Sequence, residues 1–468
     1  MHTHEAGALH ADLGHHGPAW LRTPADVNAL APLLWARTVT RGDDGALRVG
    51  GVDVRELAAR YGTPLYILDE ADLRARCREF RKAFGGAAGG EIFYAGKAFL
   101  CKAVVRIVAE EGLSLDVCSG GELGVALAGG MPAERIGLHG NNKSPAELAR
   151  ALDAGVGRII VDSFDEIERL TALARERGVR PKVLVRVTVG VEAHTHEYIA
   201  TAHEDQKFGF SLAGGAAAEA VARILGDGVL ELRGLHSHIG SQIYDTSGFE
   251  LAARRVLGLQ AQIRDSHSVE LPELDLGGGF GIAYTSQDDP APAAELATGL
   301  VTIVEHECAR YSLAVPHLSV EPGRAIVGPA MFTLYQVGTV KRVELDAGAV
   351  RNYVSVDGGM SDNIRAALYD ASYAATLAGR RSAAPPVLSR VVGVHCESGD
   401  IVVKDEFLPA DVQPGDFLAV PGTGAYCRSM ASNYNQVPRP PVLAVMDGAA
   451  RVIVRRETEA DLLALDVG

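Results

Sequence analysis

Lys97 stands in the run Glu91-Ile-Phe-Tyr-Ala-Gly-Lys-Ala-Phe-Leu100, a short and mostly apolar stretch that predicts a buried strand ending near the lysine. An ammonium is costly to take out of water, so a lysine there needs a partner, a loss of charge or a covalent task. A desolvated lysine amine attacks carbonyl carbons, which is how Schiff-base enzymes arm theirs. The plain alternative is a packed stem with its head in water.

Other chemistry-bearing residues gather in short glycine-containing motifs. His236-Ser-His-Ile-Gly-Ser-Gln242 and Asp275-Leu-Gly-Gly-Gly-Phe-Gly281 each follow a strand-like run. Successive glycines let backbone N–H groups approach an anion closely, although a tight turn would need them equally. Ser319-Val-Glu-Pro-Gly-Arg324 places Glu321 directly after apolar residues, so this carboxylate should be buried and in need of a donor. Arg324 could grip a carboxylate or phosphate, or pair with Glu321 as a structural bridge. His395-Cys-Glu-Ser-Gly-Asp400 puts a thiol beside carboxylates, which suits a proton donor better than an attacking thiolate. Gly422-Thr-Gly-Ala-Tyr426 offers a phenol on a flexible turn, and Asp362-Asn-Ile-Arg365 with Tyr369 adds a cation and another phenol.

These residues need a scaffold. Between about Pro64 and Glu321, strand-like runs alternate with Ala/Leu/Glu/Arg-rich helical segments, which predicts a parallel sheet. The candidate strands are Leu65-Leu68, Ile92-Ala95, Ser114-Val117, Ile136-Leu138, Arg158-Val161, Val183-Val187, Gly234-His238, Leu274-Leu276 and Leu318-Glu321. A (β/α)8 barrel needs one fewer, so one of them is an entry strand or misplaced; a doubly wound sheet fits the pattern as well. In a barrel, the motifs above would fall at the C-terminal strand ends, where active sites sit. After about Pro329 the texture is strands between Gly, Pro and Asp, the pattern of an all-β domain. Thr38-Val54 also reads as strands around an Asp-Gly turn that could join it. The expected division is a flexible tail over 1–35, N-terminal strands of the β-domain over 36–62, the barrel over 63–328 and the C-terminal β-domain over 329–468.

A chain of 468 residues with 47% hydrophobic and 22% charged content has room for a substantial core. The net charge of −14 argues against nucleic acid or an anionic membrane as partner. Cys77, Cys101, Cys118, Cys308, Cys396 and Cys427 are scattered and form no Cys-x-x-Cys pair, which suits a reducing compartment. With no apolar run long enough to span a membrane and no visible signal segment, a cytoplasmic location is expected. His2, His4, His10, His15 and His16 could bind metal, but an Ala/Gly-rich tail without periodicity reads as disordered. No metal is expected at the site. The acidic, His-bearing loop Val191-Gln206 reads as structural.

A lysine, an anion cradle, a carboxylate and an imidazole suit one cofactor, pyridoxal 5'-phosphate. From about Thr38 to about Leu465 the chain resembles the barrel-type pyridoxal-phosphate decarboxylases, and most closely the diaminopimelate decarboxylases. The resemblance runs through Tyr94-Ala-Gly-Lys97, Asp116-Val-Cys-Ser119, His139-Gly-Asn-Asn-Lys143, His238-Ile-Gly-Ser-Gln242, Gly277-Gly-Gly279, Glu321-Pro-Gly-Arg324, Cys396-Glu-Ser-Gly-Asp400 and Gly424-Ala-Tyr426. It implies that Lys97 carries the cofactor, Glu321 keeps its ring nitrogen protonated and His238 stacks on the ring. Ser241, Gly279, Tyr426 and the backbone of Glu321, Pro322, Gly323 and Arg324 would hold the phosphate, with Asp116 nearby. Cys396 would protonate the product carbon, from the second subunit of a homodimer, and Lys207 would pair with Asp400 across that interface.

The implied reaction is decarboxylation of meso-2,6-diaminopimelate to L-lysine, the last step of lysine biosynthesis. Arg324, Arg365, Tyr369 and Tyr426 would serve the substrate, the first three at its distal carboxylate, and Glu397 would take the distal ammonium. The alternatives are a decarboxylase of another basic amino acid or carboxylated polyamine, and a non-catalytic pyridoxal-phosphate homeostasis protein, which would lack the β-domain. A racemase of the same barrel would place an arginine where Glu321 stands. Ile364 and Arg428 depart from the family pattern, where proline and tyrosine are expected.

Overall fold

The computed structural model describes residues 17–85, 89–190, 207–345 and 349–468. The chain divides into two compact units. One comprises Arg74–Gly281 with Pro290–Ile326; the other comprises the described residues up to Leu73, Ile282–Asp289 and Val327–Gly468.

The first unit is a closed parallel barrel. Its eight strands are Glu91–Ala95, Ser114–Val117, Ile136–Leu138, Arg158–Val161, Lys182–Thr188, Glu231–His236, Glu273–Asp275 and His317–Val320. The last pairs with the first through Ser319↔Glu91 and Val320↔Ile92, which closes the ring. A short strand, Phe210–Ser211, adds to Lys182–Thr188 outside it. Ser114–Val117 and Ile136–Leu138 are buried at every position, as expected of parallel strands covered on both faces.

Three helices after consecutive strands share one local grammar. Ser119, Ser144 and Ser163 cap the helices Gly120–Gly129, Pro145–Ala154 and Phe164–Arg177, each side chain accepting from an N–H of the first turn. Gly130, Gly155 and Gly178 end them in the left-handed conformation. Serine after a strand and glycine after a helix therefore set the length of each repeat and fix where its strand-end loop stands.

Eight of the nine expected strands form this ring. Leu65–Asp69 does not: it pairs antiparallel with Met331–Glu344 and parallel with Val442–Met446 in the second unit. The start of the barrel unit moves accordingly from the expected 63 to Arg74, and Ile282–Asp289 passes to the β-unit. The strand is buried at all five positions, so its apolar run reads like a barrel strand.

The large sheet of the second unit runs in the order Ile401–Pro409, Pro386–Val392, Val350–Val356, Met331–Glu344, Leu65–Asp69, Val442–Met446, Ala449–Val454. Phe417–Pro421 branches from Met331–Glu344 and carries Thr376–Leu377. Thr40–Arg41, Leu47–Val49 and Val52–Asp53 make a separate antiparallel sheet, turned at Asp44-Gly45 with Gly45 at φ +85°. Its Leu47 and Val49 share one core with Leu65, Ile67, Phe332 and Leu443. The N-terminal strands thus pack onto the β-unit without entering its main sheet.

The expectation of a flexible tail over 1–35 needs correction where the chain is described. Leu34 and Trp35 are buried in that same core, Trp35 edge-on to Phe332 at 5.8 Å. Asn28 donates to the Ser382 carbonyl at 2.9 Å. Burying large apolar side chains stabilises by about 1.5–3 kcal/mol each, which anchors the C-terminal end of the segment in the core. His2, His4, His10, His15, His16 and the loop Val191-Gln206 lie outside the described residues.

Candidate active site

The barrel collects its polar residues at the C-terminal ends of its strands. Lys97 follows Glu91–Ala95, Asp116 lies within Ser114–Val117, and His139 follows Ile136–Leu138. His236 closes Glu231–His236, Asp275 closes Glu273–Asp275 and Glu321 follows His317–Val320.

Glu321 is 7% exposed and is the hub of this group. His236 Nε2 donates to its Oε1 at 2.8 Å. His139 Nε2 lies 3.3 Å from the same oxygen and 3.1 Å from Asp116 Oδ1, near enough to feel both charges but aligned for a hydrogen bond with neither. Burial opposes charge on Glu321, yet the imidazoles and the His236 hydrogen bond hold it well below the usual carboxylate range. Asp116 goes the other way: burial first, and then the charge of Glu321, push it well above that range. His139 and His236 are each driven down to about 4, chiefly by burial. Glu321 and Asp116 are thus pushed in opposite directions, the first towards the carboxylate and the second towards the protonated acid. Lys97 adds positive charge felt at Asp116, His139 and His238.

Lys97 itself departs from expectation. The strand ends at Ala95, and Lys97 sits on the following turn with its side chain exposed. Its amine is therefore offered rather than sealed in. His238 is half-buried and accepts from the Gly278 N–H through Nδ1 at 3.3 Å. That bond puts the proton of the neutral ring on Nε2, and burial holds the ring neutral by driving its pKa to about 3.

The glycine run is required by packing. A Cβ at Gly278 would lie 2.3 Å from the Glu321 carbonyl oxygen, and one at Gly279 would lie 2.4 Å from that of Gly240, with Gly279 at φ +105°. Gly277 donates its N–H to Asp275 Oδ1 at 2.7 Å. Gly279 makes no such donation to a described residue, so its N–H is available to an anion. Arg324 donates through Nη2 to Ser241 Oγ at 2.8 Å, which joins two more of the expected anion-binding groups.

The remaining expected residues belong to the β-unit. Arg365 is 5% exposed, donates to Tyr373 Oη at 2.6 Å and stacks over Tyr284 at 4.7 Å. Tyr369 is 61% exposed. Cys396 is exposed and Glu397 half-buried on a loop that Asp400 shapes, its carboxylate accepting the Met360 and His395 N–H groups at 2.6 and 2.7 Å. Gly359 and Gly393 stand against that carboxylate, where a Cβ would approach within 2.5 and 2.2 Å. Tyr426 takes φ +65°, an uncommon conformation for a tyrosine. It follows a turn in which a Cβ at Gly424 would meet the Val327 carbonyl oxygen at 1.8 Å.

His236 and His139 received no role from the sequence, although both stand in motifs that it singles out. The available signal was their place at or just past a strand end, where barrel side chains converge. With Glu321 they set three ligand atoms within 4.8 Å of one another, a spacing a divalent cation tolerates. The 2.8 Å contact is already a donor–acceptor pair, which satisfies His236 Nε2 without one.

Several buried polar atoms here lack a partner: Asp116 Oδ2, His236 Nδ1 and Ser237 Oγ. Buried polar atoms are rarely left unsatisfied, and their concentration marks a place built around another group. A pyridine ring with an aldehyde and a phosphate fits these residues: an accessible amine, an ionised carboxylate, a half-buried imidazole face, and anion donors at Gly279, Ser241 and Arg324.

Comparison with known proteins agrees with that fit. Residues 70–328 match the family described as pyridoxal-dependent decarboxylase, pyridoxal binding domain. The chain is 56% identical to a diaminopimelate decarboxylase of Mycobacterium leprae, covering 100% of both. It is 48% identical to that of Bacillus subtilis, over 92% of this chain and 97% of the relative. Among solved structures, M. jannaschii diaminopimelate decarboxylase with L-lysine superposes with a TM-score of 0.86 at 31% identity, over 93% of this chain and 99% of that one.

Proposed function

The chain belongs to the diaminopimelate decarboxylases, within the pyridoxal-dependent decarboxylase family, and we propose that it converts meso-2,6-diaminopimelate to L-lysine and CO2. It is a carboxy-lyase that uses pyridoxal 5'-phosphate. The observation that carries the reading is the buried carboxylate of Glu321, hydrogen-bonded by His236 at the barrel rim and surrounded by unsatisfied polar atoms.

When bound, the cofactor supplies an electron sink for the pair left behind as CO2 departs. The protein residues do the rest. Lys97 Nζ is the amine that holds the cofactor. Glu321 is the counter-charge for the ring nitrogen, which favours loss of a carboxylate over racemisation. His238 offers its ring face, and Gly279, Ser241, Arg324, the Pro322-Gly323 backbone and Tyr426 bind the phosphate, with Asp116 beside them. Arg324, Arg365, Tyr369 and Tyr426 hold the substrate, and Glu397 takes its distal ammonium. Leaving the buried Arg365 and its companion polar groups without their partners penalises shorter or singly charged substrates. Cys396 Sγ–H delivers the proton to the carbon that lost CO2.

Cys396 and Glu397 serve the site of a second subunit, and Lys207 pairs with Asp400 there, so the working unit is a homodimer. The exposure of Cys396 and Lys207 supports this reading. No helix among the described residues is long and apolar enough to cross a membrane. The six free cysteines support a reducing, cytoplasmic setting.

The test is a substrate panel of meso-diaminopimelate, ornithine, arginine and carboxynorspermidine, read as CO2 release with chiral identification of the amine product. The expected result is L-lysine from the first at the highest kcat/KM. Preferred turnover of any of the other three would overturn the assignment.

A further inference from the structure

His236 is fully buried and is the last residue of its strand, paired in register with Asp275 on one side and Arg186 on the other. Its backbone is therefore fixed by the barrel ladder. Nε2 meets Glu321 Oε1 at 2.8 Å, while Nδ1 is buried with no partner. Nε2 faces a carboxylate oxygen, so its hydrogen belongs there, and a second hydrogen on Nδ1 would be a buried donor with no acceptor; the ring is a neutral donor. A neutral donor orients a carboxylate without cancelling its charge; an imidazolium would do both. His139 and Asp116 flank the same carboxylate, and no described residue donates to Glu321 Oε2.

We propose that His236 is a positioning residue for the cofactor: by donating Nε2–H to Glu321 Oε1 it fixes the carboxylate and leaves Oε2 for the ring nitrogen. The inference rests on the role given to Glu321 above. It predicts that losing this donor weakens the proton at the cofactor ring while the barrel stays folded. A merely structural histidine would affect stability and leave that proton alone.

The experiment loads the apoprotein with pyridoxal phosphate carrying 15N in the ring and reads the nitrogen shift, together with cofactor affinity. Wild type should show a protonated ring nitrogen. His236→Leu should move the signal towards the unprotonated position and weaken cofactor affinity by about 10- to 100-fold, the range for a lost hydrogen bond to a charged group. His236→Gln, whose amide nitrogen can take the place of Nε2, should restore most of both. Glu321→Gln separates the two claims. If it leaves the signal unmoved, the role of Glu321 is wrong. If it moves the signal while folded His236→Leu keeps the wild-type position, only the role of His236 is wrong. His236→Asn, too short to reach Oε1, carries the same test should the leucine variant not fold.

Discussion

The barrel rim and the β-unit solve different problems. At the rim, charges are buried and answer one another: the neighbouring histidines and the His236 hydrogen bond favour charge on Glu321, while burial and Glu321 disfavour it on Asp116. In the β-unit, Arg365 is buried against Tyr373 and Tyr284, while Cys396 and Tyr369 are exposed. The rim is organised before anything binds. The β-unit instead pairs one fixed cation with groups that are free to meet a substrate or a partner. Cofactor chemistry needs a carboxylate whose charge and direction do not drift, and burial supplies that at a cost in unsatisfied atoms.

The largest expected effect that separates the halves is at Cys396. Cys396→Ala should lower kcat by roughly 10²- to 10⁴-fold, the range for a lost general acid, with cofactor uptake and absorbance as in wild type. Loss of cofactor together with activity would erase the distinction drawn here.

A smaller effect tests proton affinity in the β-unit. Burial pushes Glu406 up to about 7 from an ordinary value of 4.5, although the Ala375 and Phe407 N–H groups pull the other way. A carboxyl whose folded value exceeds its unfolded one holds its proton more tightly in the native state. Its contribution to stability is whole below pH 4.5 and fades as the pH rises to about 7. Denaturant unfolding of wild type minus Glu406→Gln should therefore show a difference that falls by on the order of 1–3 kcal/mol across that window. A flat difference would mean that the site is wetter than its burial implies. The rim histidines, depressed rather than raised, contribute the opposite slope between their folded values near 4 and the ordinary 6.5.

Much of the barrel was legible because parallel strands buried on both faces leave continuous apolar runs, and because Ser and Gly bracket the helices between them. Leu65–Asp69 was misplaced for the same reason. Its neighbours, Met331–Glu344 and Val442–Met446, lie far along the chain, and an apolar pentapeptide carries no sign of which strands will flank it. Leu34 and Trp35 read as part of a loose tail because an irregular segment has no periodicity to reveal its burial. At the site, Lys97 was expected to be sealed in because strand and turn are indistinguishable across Ala95-Gly-Lys97. The role of His236 could not be read because its partner, Glu321, lies 85 residues away. Residue types reveal what chemistry is possible; only the closed ring reveals which imidazole faces the carboxylate.

One amine, Lys97 on the turn after the first barrel strand, is expected to carry the cofactor. The direct measurement is borohydride reduction of the pyridoxal-phosphate-loaded protein, followed by peptide mapping of the modified lysine. A single phosphopyridoxyl label on Lys97 is expected. A label on any other lysine, or a protein that takes up no cofactor, would contradict it.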